Sequence, residues 1–167
     1  ALFMTGWKLA DQLSAKSDAL IVSSASSKTA LATAWAMSRF TPAANIIGIT
    51  SETTRSFVER LGIYTRVLGY DEVVFEDRFD QAAYVDVAGN AAVTSAVHVA
   101  LNDRLAHSVT LGSTHRAPPA GELPMPGPAP SFFFIPTEAE ADAAALGFDK
   151  AHLKFAMAWS DYALWSA

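Results

Sequence analysis

The feature that most constrains the fold of this chain is the junction between an apolar run, Ala19–Ser23, and a helix-forming run that begins near Thr29. The loop between them reads SSASSKTA over residues 23–30, so small hydroxylic residues lead into Lys28. Backbone N–H groups at the start of a helix lack intrahelical acceptors and lie at the positive end of the helix dipole, so together with a lysine ammonium they attract an anion. We therefore predict that this junction binds the phosphate groups of a nucleotide.

Short apolar runs rich in β-branched residues alternate with helical patterns along the chain. The predicted strands cover Ala19–Ser23, Asn45–Thr50, Arg66–Tyr70, Ala83–Val87 and Ser108–Leu111. The predicted helices cover Thr29–Phe40, Thr53–Leu61 and Asn90–Arg104. Strands that are apolar on both faces need helices on both faces of a parallel sheet. The pattern therefore predicts an α/β fold with a doubly wound, mostly parallel sheet flanked by helices.

A change in composition divides the chain. Six of the eight prolines lie between residues 117 and 130, which we predict to be an extended loop because proline interrupts helices and central strands. This loop separates a nucleotide-binding core over residues 1–116 from residues 131–167, where we predict an additional strand at Ser131–Ile135 and two C-terminal helices of the same domain. Phe155, Trp159 and Tyr162 recur at helical spacing, which predicts a core or subunit contact on the last helix.

The composition argues against several classes of protein. The chain of 167 residues carries 12 Lys and Arg against 17 Asp and Glu, a net charge of -5, whereas nucleic-acid backbones require clustered cations. The lack of cysteine excludes disulfides and thiolate catalysis. No apolar run approaches the roughly 20 residues of a transmembrane helix. We expect a cytoplasmic protein that contacts neither nucleic acid nor membrane.

The histidines do not have the spacing of a metal site. None of the four forms an i, i+4 pair with the glutamate that zinc hydrolases use, so we expect solvated or capping histidines and no metal. They are His98, His107, His115 and His152.

The residues of the junction leave three interpretations open. In a dinucleotide-binding fold, glycines let the backbone approach a pyrophosphate and a residue about 20 positions on contacts the adenine ribose; Ser51 lies 22 positions beyond Thr29. In a P-loop protein, a glycine, a lysine and a Ser or Thr hold a triphosphate with magnesium. Ser27, Lys28 and Thr29 resemble that ending, although Val22 and Ser27 replace its two glycines. The third interpretation is a capped helix start without a ligand.

Four segments of the chain carry a family resemblance. They read LIVSSASSKTALATAWAM, NIIGITSETTRSFVERLGIYTRVLGYDE, AAYVDVAGNAAVTSAV and SVTLGSTH. Their order is similar to that in the cofactor domain of the quinone-reductase-like medium-chain dehydrogenases/reductases, and within that superfamily it most resembles an uncharacterised branch described as a domain of unknown function. The resemblance extends from about Trp7 to the C-terminus and covers the cofactor-binding part only. It implies a Rossmann-type sheet that binds NADP(H).

The resemblance also implies that the pyrophosphate lies over the loop from Ser23 to Thr29. The three glycines of the superfamily's turn fall at Ser23, Ser26 and Thr29, so none of them is glycine here. The hydroxyls of Ser26 and Ser27 and the ammonium of Lys28 are donors that would compensate for this difference.

The end of the second predicted strand bears on the choice between NADP and NAD. An acidic residue there binds the ribose 2′-hydroxyl of NAD, whereas a small hydroxyl with a nearby cation favours the additional phosphate of NADP. Ser51, with Arg55 one helical turn on, favours NADP; a Glu52 side chain pointing inward would favour NAD. In similar reductases, the residue at the position equivalent to Tyr70 lies beside the adenosine. A tyrosine at a strand end is otherwise a half-buried packing residue.

Two glycines at later strand ends complete the expected site. Gly89 follows the fourth predicted strand and Gly112 follows the fifth, where the carboxyl ends of strands would line the nicotinamide side of the crevice. For Gly89 and Asn90 the alternative is a strand-to-helix turn with an asparagine cap.

The resemblance implies the NADP(H)-binding domain of an oxidoreductase. We expect it to be inactive alone, because similar reductases place most substrate-facing residues on a separate β-rich domain. A non-catalytic interaction module that has lost its cofactor is the alternative, and a P-loop nucleotide-binding protein is the weaker one. We also expect a homodimer formed through the edge strand at Ser131–Ile135.

Overall fold

A six-stranded sheet, in which every strand pair is parallel, forms the centre of the described part of the protein. The computed structural model describes residues 2–111, 123–133 and 143–167. The strands are β1 (Ala19–Ser23), β2 (Asn45–Thr50), β3 (Arg66–Gly69), β4 (Ala82–Asp86), β5 (Leu105–Leu111) and β6 (Ser131–Phe133). Their order across the sheet is β3-β2-β1-β4-β5-β6. The chain therefore builds one half of the sheet outward from β1 and the other half outward from β4, which is the doubly wound, Rossmann-like arrangement that we predicted.

Helices cover both faces of the sheet. They are α1 (Leu2–Ser14), α2 (Lys28–Phe40), α3 (Glu52–Arg60), α4 (Ala91–Leu101) and α5 (Phe148–Ser166), with a 3₁₀ turn at Asn102–Arg104. Alternate strand residues face opposite sides, and both sides are apolar. Leu20 and Val22 face the side covered by α1 and α2, whereas Ile21 faces the side covered by α4 and by Phe75 and Phe79. Burial on both faces explains why the strands are almost continuously hydrophobic.

The last helix, α5, packs on α1 and α2 through aromatic rings. The Tyr162 ring lies 4.7 Å from that of Phe3 and 5.3 Å from that of Trp35, and Phe155 also contacts Phe3. This confirms that the aromatic residues of α5 make core contacts, although Trp159 is 49% exposed.

The predicted boundaries differ from the structure mainly near α4. The helix predicted for Asn90–Arg104 ends at Leu101, because Asn102 departs from helical geometry with φ 46° and ψ -115°. The following strand, β5, consequently begins three residues before the predicted Ser108. The Pro-rich loop and the strand predicted at Ser131–Ile135 are described only in part, and the helix predicted from residue 137 lies outside the described residues at its start.

Among the histidines in the described residues, His98 has surroundings that differ from the prediction of a solvated or capping side chain. Its side chain is fully buried on the inner face of α4, where Nδ1 lies 2.8 Å from the carbonyl oxygen of Pro126 and Nε2 lies 2.8 Å from Ser108 Oγ. Because a carbonyl only accepts, Nδ1–H donates to Pro126. His98 thus connects the Pro-rich segment to β5 through two hydrogen bonds. His107 and His152 are partly or fully exposed, and His115 lies outside the described residues.

Among the helices of the three described ranges, none combines the length and the apolar character required to cross a membrane.

Candidate functional site

The loop from Ser23 to Thr29 leaves the carboxyl end of β1 in a tight turn. Ser24 is its one residue with a positive φ, 53°, and the Ser27 N–H donates to the Ser24 carbonyl oxygen at 2.8 Å. Ser23, Ser26 and Thr29, the three expected glycine positions, have ordinary backbone conformations, so their side chains cause no backbone strain. The conformation that favours glycine lies instead at Ser24, one residue beyond the first of these positions.

Ser23 is completely buried, and its hydroxyl is used within the fold. Ser23 Oγ donates to Asp86 Oδ1 at 3.0 Å and accepts from the N–H groups of Val87 and Ala88 at 2.9 Å and 3.1 Å. Asp86 Oδ1 also accepts from the Gly89 N–H at 3.0 Å. Ser23 therefore organises the ends of β1 and β4 and directs no hydroxyl toward a ligand.

The next residues present donors at the same edge of the sheet. Within the described ranges, the N–H groups of Ser26, Lys28 and Thr29 have no hydrogen-bond acceptor. Ser27 caps α2, because its Oγ accepts from the Ala30 N–H at 3.2 Å. Lys28 is exposed and has no ion-pair partner in the described part of the chain. Three N–H groups and an ammonium thus surround the first turn of α2, a combination suited to an anion such as phosphate.

Tyr64 supports this loop from the side of β2. Its hydroxyl donates to the Ala25 carbonyl oxygen at 2.8 Å, and burial raises the pKa of Tyr64. Gly48 makes room for the contact, since a Cβ at that position would lie 2.8 Å from Ala25 Cβ and 3.0 Å from the Tyr64 ring. We did not anticipate Tyr64 or Gly48 from the sequence, because nothing local to them points to the loop.

Ser51 and Arg55 lie where β2 passes into α3. Ser51 is the N-terminal cap of α3 but makes no capping bond; its Oγ lies 3.1 Å from Thr54 Oγ1. Arg55 Nε lies 3.2 Å from Glu59 Oε1 and its Nη1 lies 3.0 Å from Glu72 Oε2, and these two carboxylates raise the pKa of Arg55.

The remaining acidic neighbour of Arg55 points away from the sheet. The Glu52 side chain is 84% exposed, and Glu52 Oε2 lies 3.5 Å from Arg55 Nη1. The inward-pointing Glu52 that would favour NAD is therefore not the conformation observed.

Tyr70 and Gly89 follow β3 and β4 at the same edge. Tyr70 is half-buried and packs against the core on the α4 side. Gly89 is exposed with φ 66°, and Asn90 caps α4 by accepting from the N–H groups of Ala92 and Val93. The structure therefore contains the turn and the asparagine cap at Gly89 and Asn90, and a place for Gly89 beside a nicotinamide stays a prediction. Gly112 lies outside the described residues.

Strand register brings most of the expected residues to one edge of the sheet. Ser23 is paired with Ile49, Val22 with Val85, and Thr50 with Gly69, so the loops that follow β1, β2, β3 and β4 lie side by side at the carboxyl ends. Ligands of doubly wound sheets bind at this edge, beside the point where the strand order reverses, which here lies between β1 and β4.

No group of three or more His, Asp or Glu side chains within residues 2–111, 123–133 and 143–167 is arranged to hold a metal ion. The N–H groups of Ser26, Lys28 and Thr29, together with the Lys28 ammonium, instead support the binding of an anion.

Comparison with known proteins gives one family and a distant structural similarity. Residues 1–166 match the model of a family described as a protein of unknown function (DUF2855), and comparison with curated protein sequences gives no match. Among solved structures, the fold is similar to the 2.2 Å structure of the cobalt- and zinc-bound thermostable alcohol dehydrogenase from Pyrobaculum aerophilum, with a TM-score of 0.49 and 18% sequence identity. That similarity covers 69% of this chain and 35% of the dehydrogenase chain, so this chain spans about a third of that protein.

Proposed function

We propose that this chain, which belongs to the DUF2855 family, is the dinucleotide-binding domain of an oxidoreductase. The observation that carries the proposal is the position of the donors. The N–H groups of Ser26, Lys28 and Thr29 and the Lys28 ammonium lie at the carboxyl end of β1, next to the point where the order of a doubly wound sheet reverses. The resemblance to medium-chain dehydrogenases/reductases supports the same site.

In this proposal the pyrophosphate lies over the first turn of α2. The amides of Ser26, Lys28 and Thr29 donate to its oxygens, and the Lys28 ammonium neutralises part of its charge. Ser27 holds the helix start in place through its capping bond, and Ser23 acts through Asp86 rather than by touching the ligand.

The two ends of the dinucleotide extend from there along the strand ends. In this proposal Ser51, Arg55 and Tyr70 would hold the adenosine, and Gly89 would lie beside the nicotinamide. The role expected for Gly112, which lies outside the described residues, stays a prediction. When bound, the nicotinamide supplies hydride chemistry, and this chain holds it at the sheet edge.

We further propose that NADP(H) is preferred to NAD(H). Three features support this preference: the neutral Ser51 at the end of β2, the outward direction of Glu52, and the Arg55 guanidinium one turn into α3. A guanidinium is the side chain best suited to a phosphate monoester, because its planar donors match the phosphate oxygens.

The resemblance also supports the assignment of cofactor binding and substrate binding to separate domains of the whole protein. We propose that a separate domain supplies the groups that orient the substrate, so that this chain alone binds the cofactor without turnover. The cytoplasmic location, the division of residues 1–167 at the Pro-rich loop and the homodimer through β6, an edge strand of the described sheet, stay predictions.

Titration of the protein with NADPH tests the proposal. We expect saturable enhancement of NADPH fluorescence and a rise in melting temperature that NADPH produces without added metal. No change in either signal at millimolar NADPH and NADH would refute dinucleotide binding. A response to ATP or GTP that requires Mg²⁺ would instead support the P-loop alternative.

A second candidate function is an interaction module that binds another protein in place of a cofactor. The observation in its favour is the exposed apolar side of α5, which includes Phe148 and Leu164 with exposures of 75% and 78%. An open groove of about 780 Å³ runs beside it, lined by Trp35, Met157 and Trp165 among others. A stable complex with another protein, formed by a chain that binds no dinucleotide, would favour this function over the first.

A further inference from the structure

Two donors on neighbouring elements converge on one carboxylate oxygen at the end of β3. Arg55 Nη1 lies 3.0 Å from Glu72 Oε2, and the Gly69 N–H donates to the same oxygen at 3.3 Å. Because Thr50 is paired with Gly69, this arrangement lies directly beside Ser51, which follows Thr50. We call Arg55 Nη1 and the Gly69 N–H the Arg55–Gly69 donor pair.

The Arg55–Gly69 donor pair has the chemistry of an anion-binding position. It combines a charged guanidinium with a backbone N–H, and charge-assisted bonds of this kind are the strong ones for carboxylate and phosphate alike. Glu72 occupies the position from an exposed segment, its side chain 54% exposed, so the carboxylate can leave without unfolding any element. Glu59 also contacts Arg55, but through Nε and from within α3, where the described structure gives it no contact with Gly69.

We propose that Glu72 is a specificity-determining residue whose carboxylate occupies the position of the ribose 2′-phosphate and is displaced when NADP(H) binds. This inference rests on the proposed function. NAD(H) carries a hydroxyl at that position, which can donate to the Glu72 carboxylate and leave it in place. The Glu72 carboxylate therefore competes with the 2′-phosphate of NADP(H) but not with the 2′-hydroxyl of NAD(H). It reduces the preference for NADP(H) over NAD(H) that Ser51 and Arg55 provide.

The experiment compares Glu72→Ala with Glu59→Ala in the full chain. Both substitutions remove one carboxylate from Arg55, but only the first removes the shared acceptor of Arg55 Nη1 and the Gly69 N–H. Glu52 Oε2, 3.5 Å from Arg55 Nη1, stays in place in both variants. Dissociation constants for NADPH and NADH are measured by fluorescence titration at one ionic strength, with 2′,5′-ADP as a competing ligand. We expect Glu72→Ala to tighten NADPH and 2′,5′-ADP by about fivefold, the size of one surface charge interaction. We expect Glu72→Ala to bind NADH no more tightly than wild type does. We expect Glu59→Ala to change the ratio of the NADPH and NADH dissociation constants by less than about twofold.

Three other results would contradict the inference about Glu72. If Glu59→Ala tightens NADPH as much as Glu72→Ala does, net charge is responsible and the proposed role of Glu72 is wrong. An unchanged NADPH to NADH ratio in Glu72→Ala also overturns the inference, while the proposed function stands. If no protein binds either dinucleotide, the proposed function itself fails and the inference fails with it.

Discussion

Ser23 Oγ donates a hydrogen bond to Asp86 Oδ1 across 3.0 Å, and both side chains are buried. This bond joins the ends of β1 and β4, the two strands between which the sheet reverses its order. The Ser23 hydroxyl also accepts from the Val87 and Ala88 N–H groups, so it satisfies donors of the turn after β4. A serine side chain therefore lies at the turn after β1, where dinucleotide-binding sheets use glycine.

Replacing Ser23 with Ala should destabilise the protein. The substitution leaves the Val87 and Ala88 amides without their acceptor and removes a donor from Asp86, so we expect the free energy of unfolding to fall by about 2 kcal/mol. Urea unfolding monitored by circular dichroism measures the change. Ser56→Ala, at an exposed position of α3, is the control and should change stability by less than about 0.5 kcal/mol. Equal effects of the two substitutions would contradict the role given to Ser23.

Ser24→Gly should stabilise the protein. Ser24 has φ 53°, a conformation that costs residues with a Cβ about 1 kcal/mol relative to glycine. We expect the free energy of unfolding to rise by about 0.5–1 kcal/mol in Ser24→Gly and to fall in Ser24→Val, whose β-branched side chain tolerates this conformation least. Chemical denaturation of the two variants side by side tests the sign. A loss of stability in Ser24→Gly would show that the serine side chain has a compensating role.

The order of strands and helices could be predicted from the sequence because it depends on local patterns. The apolar run Ala19–Ser23 is β1 with unchanged bounds, and Lys28 begins α2 one residue before the predicted start. The contacts that define the site could not be predicted, because they join distant parts of the chain. Ser23 and Asp86 are 63 residues apart and meet only when β1 lies beside β4.

The same reason explains why the surroundings of Arg55 and His98 were missed. Arg55 in α3 contacts Glu72, which lies 17 residues further along the chain, because the end of β3 lies beside α3. His98 is buried because the inner face of α4 meets β5 and the Pro-rich segment, and helical periodicity alone did not reveal this second neighbour.

Ser27 and Ser51 should differ in their effect on stability although both precede a helix in an extended conformation. Ser27 Oγ accepts from the Ala30 N–H, whereas Ser51 makes no capping bond. We expect Ser27→Ala to lower the free energy of unfolding by about 1 kcal/mol and Ser51→Ala by less than about 0.5 kcal/mol. Urea titrations of both variants measure this difference, and a larger loss in Ser51→Ala would contradict the assigned caps.

Stability should fall at alkaline pH because of buried tyrosines. Burial raises the pKa of Tyr64 and of Tyr84 above that of an exposed tyrosine, which is about 10. Above that pH the unfolded chain loses protons that the folded chain retains, so the stabilisation present below pH 10 is progressively lost.

Tyr64→Phe tests this pH dependence. Between pH 9.5 and pH 11 we expect wild type to lose about 1 kcal/mol more stability than Tyr64→Phe, because the variant has one fewer tyrosine to titrate on unfolding. Urea unfolding at several pH values gives both slopes. Parallel slopes for the two proteins would show that Tyr64 titrates alike in the folded and unfolded states.

Lys28→Ala should weaken dinucleotide binding without creating a need for metal. Lys28 lies at the first turn of α2, where its ammonium and N–H would both contact the pyrophosphate. We expect the dissociation constant of NADPH to rise about tenfold, since a charge-assisted bond contributes roughly 1.5 kcal/mol or more.

Lys16→Ala is the matched control, because it removes the same charge from an exposed residue before β1, at the opposite edge of the sheet. We expect this control to change NADPH affinity by less than about twofold, and we expect added Mg²⁺ to leave the affinities of all three proteins unchanged. If both lysine variants lose affinity equally, the general field of the protein rather than the α2 terminus attracts the cofactor. If instead nucleotide binding requires Mg²⁺ and disappears in Lys28→Ala, the loop from Ser23 to Thr29 acts as a P-loop despite its serines.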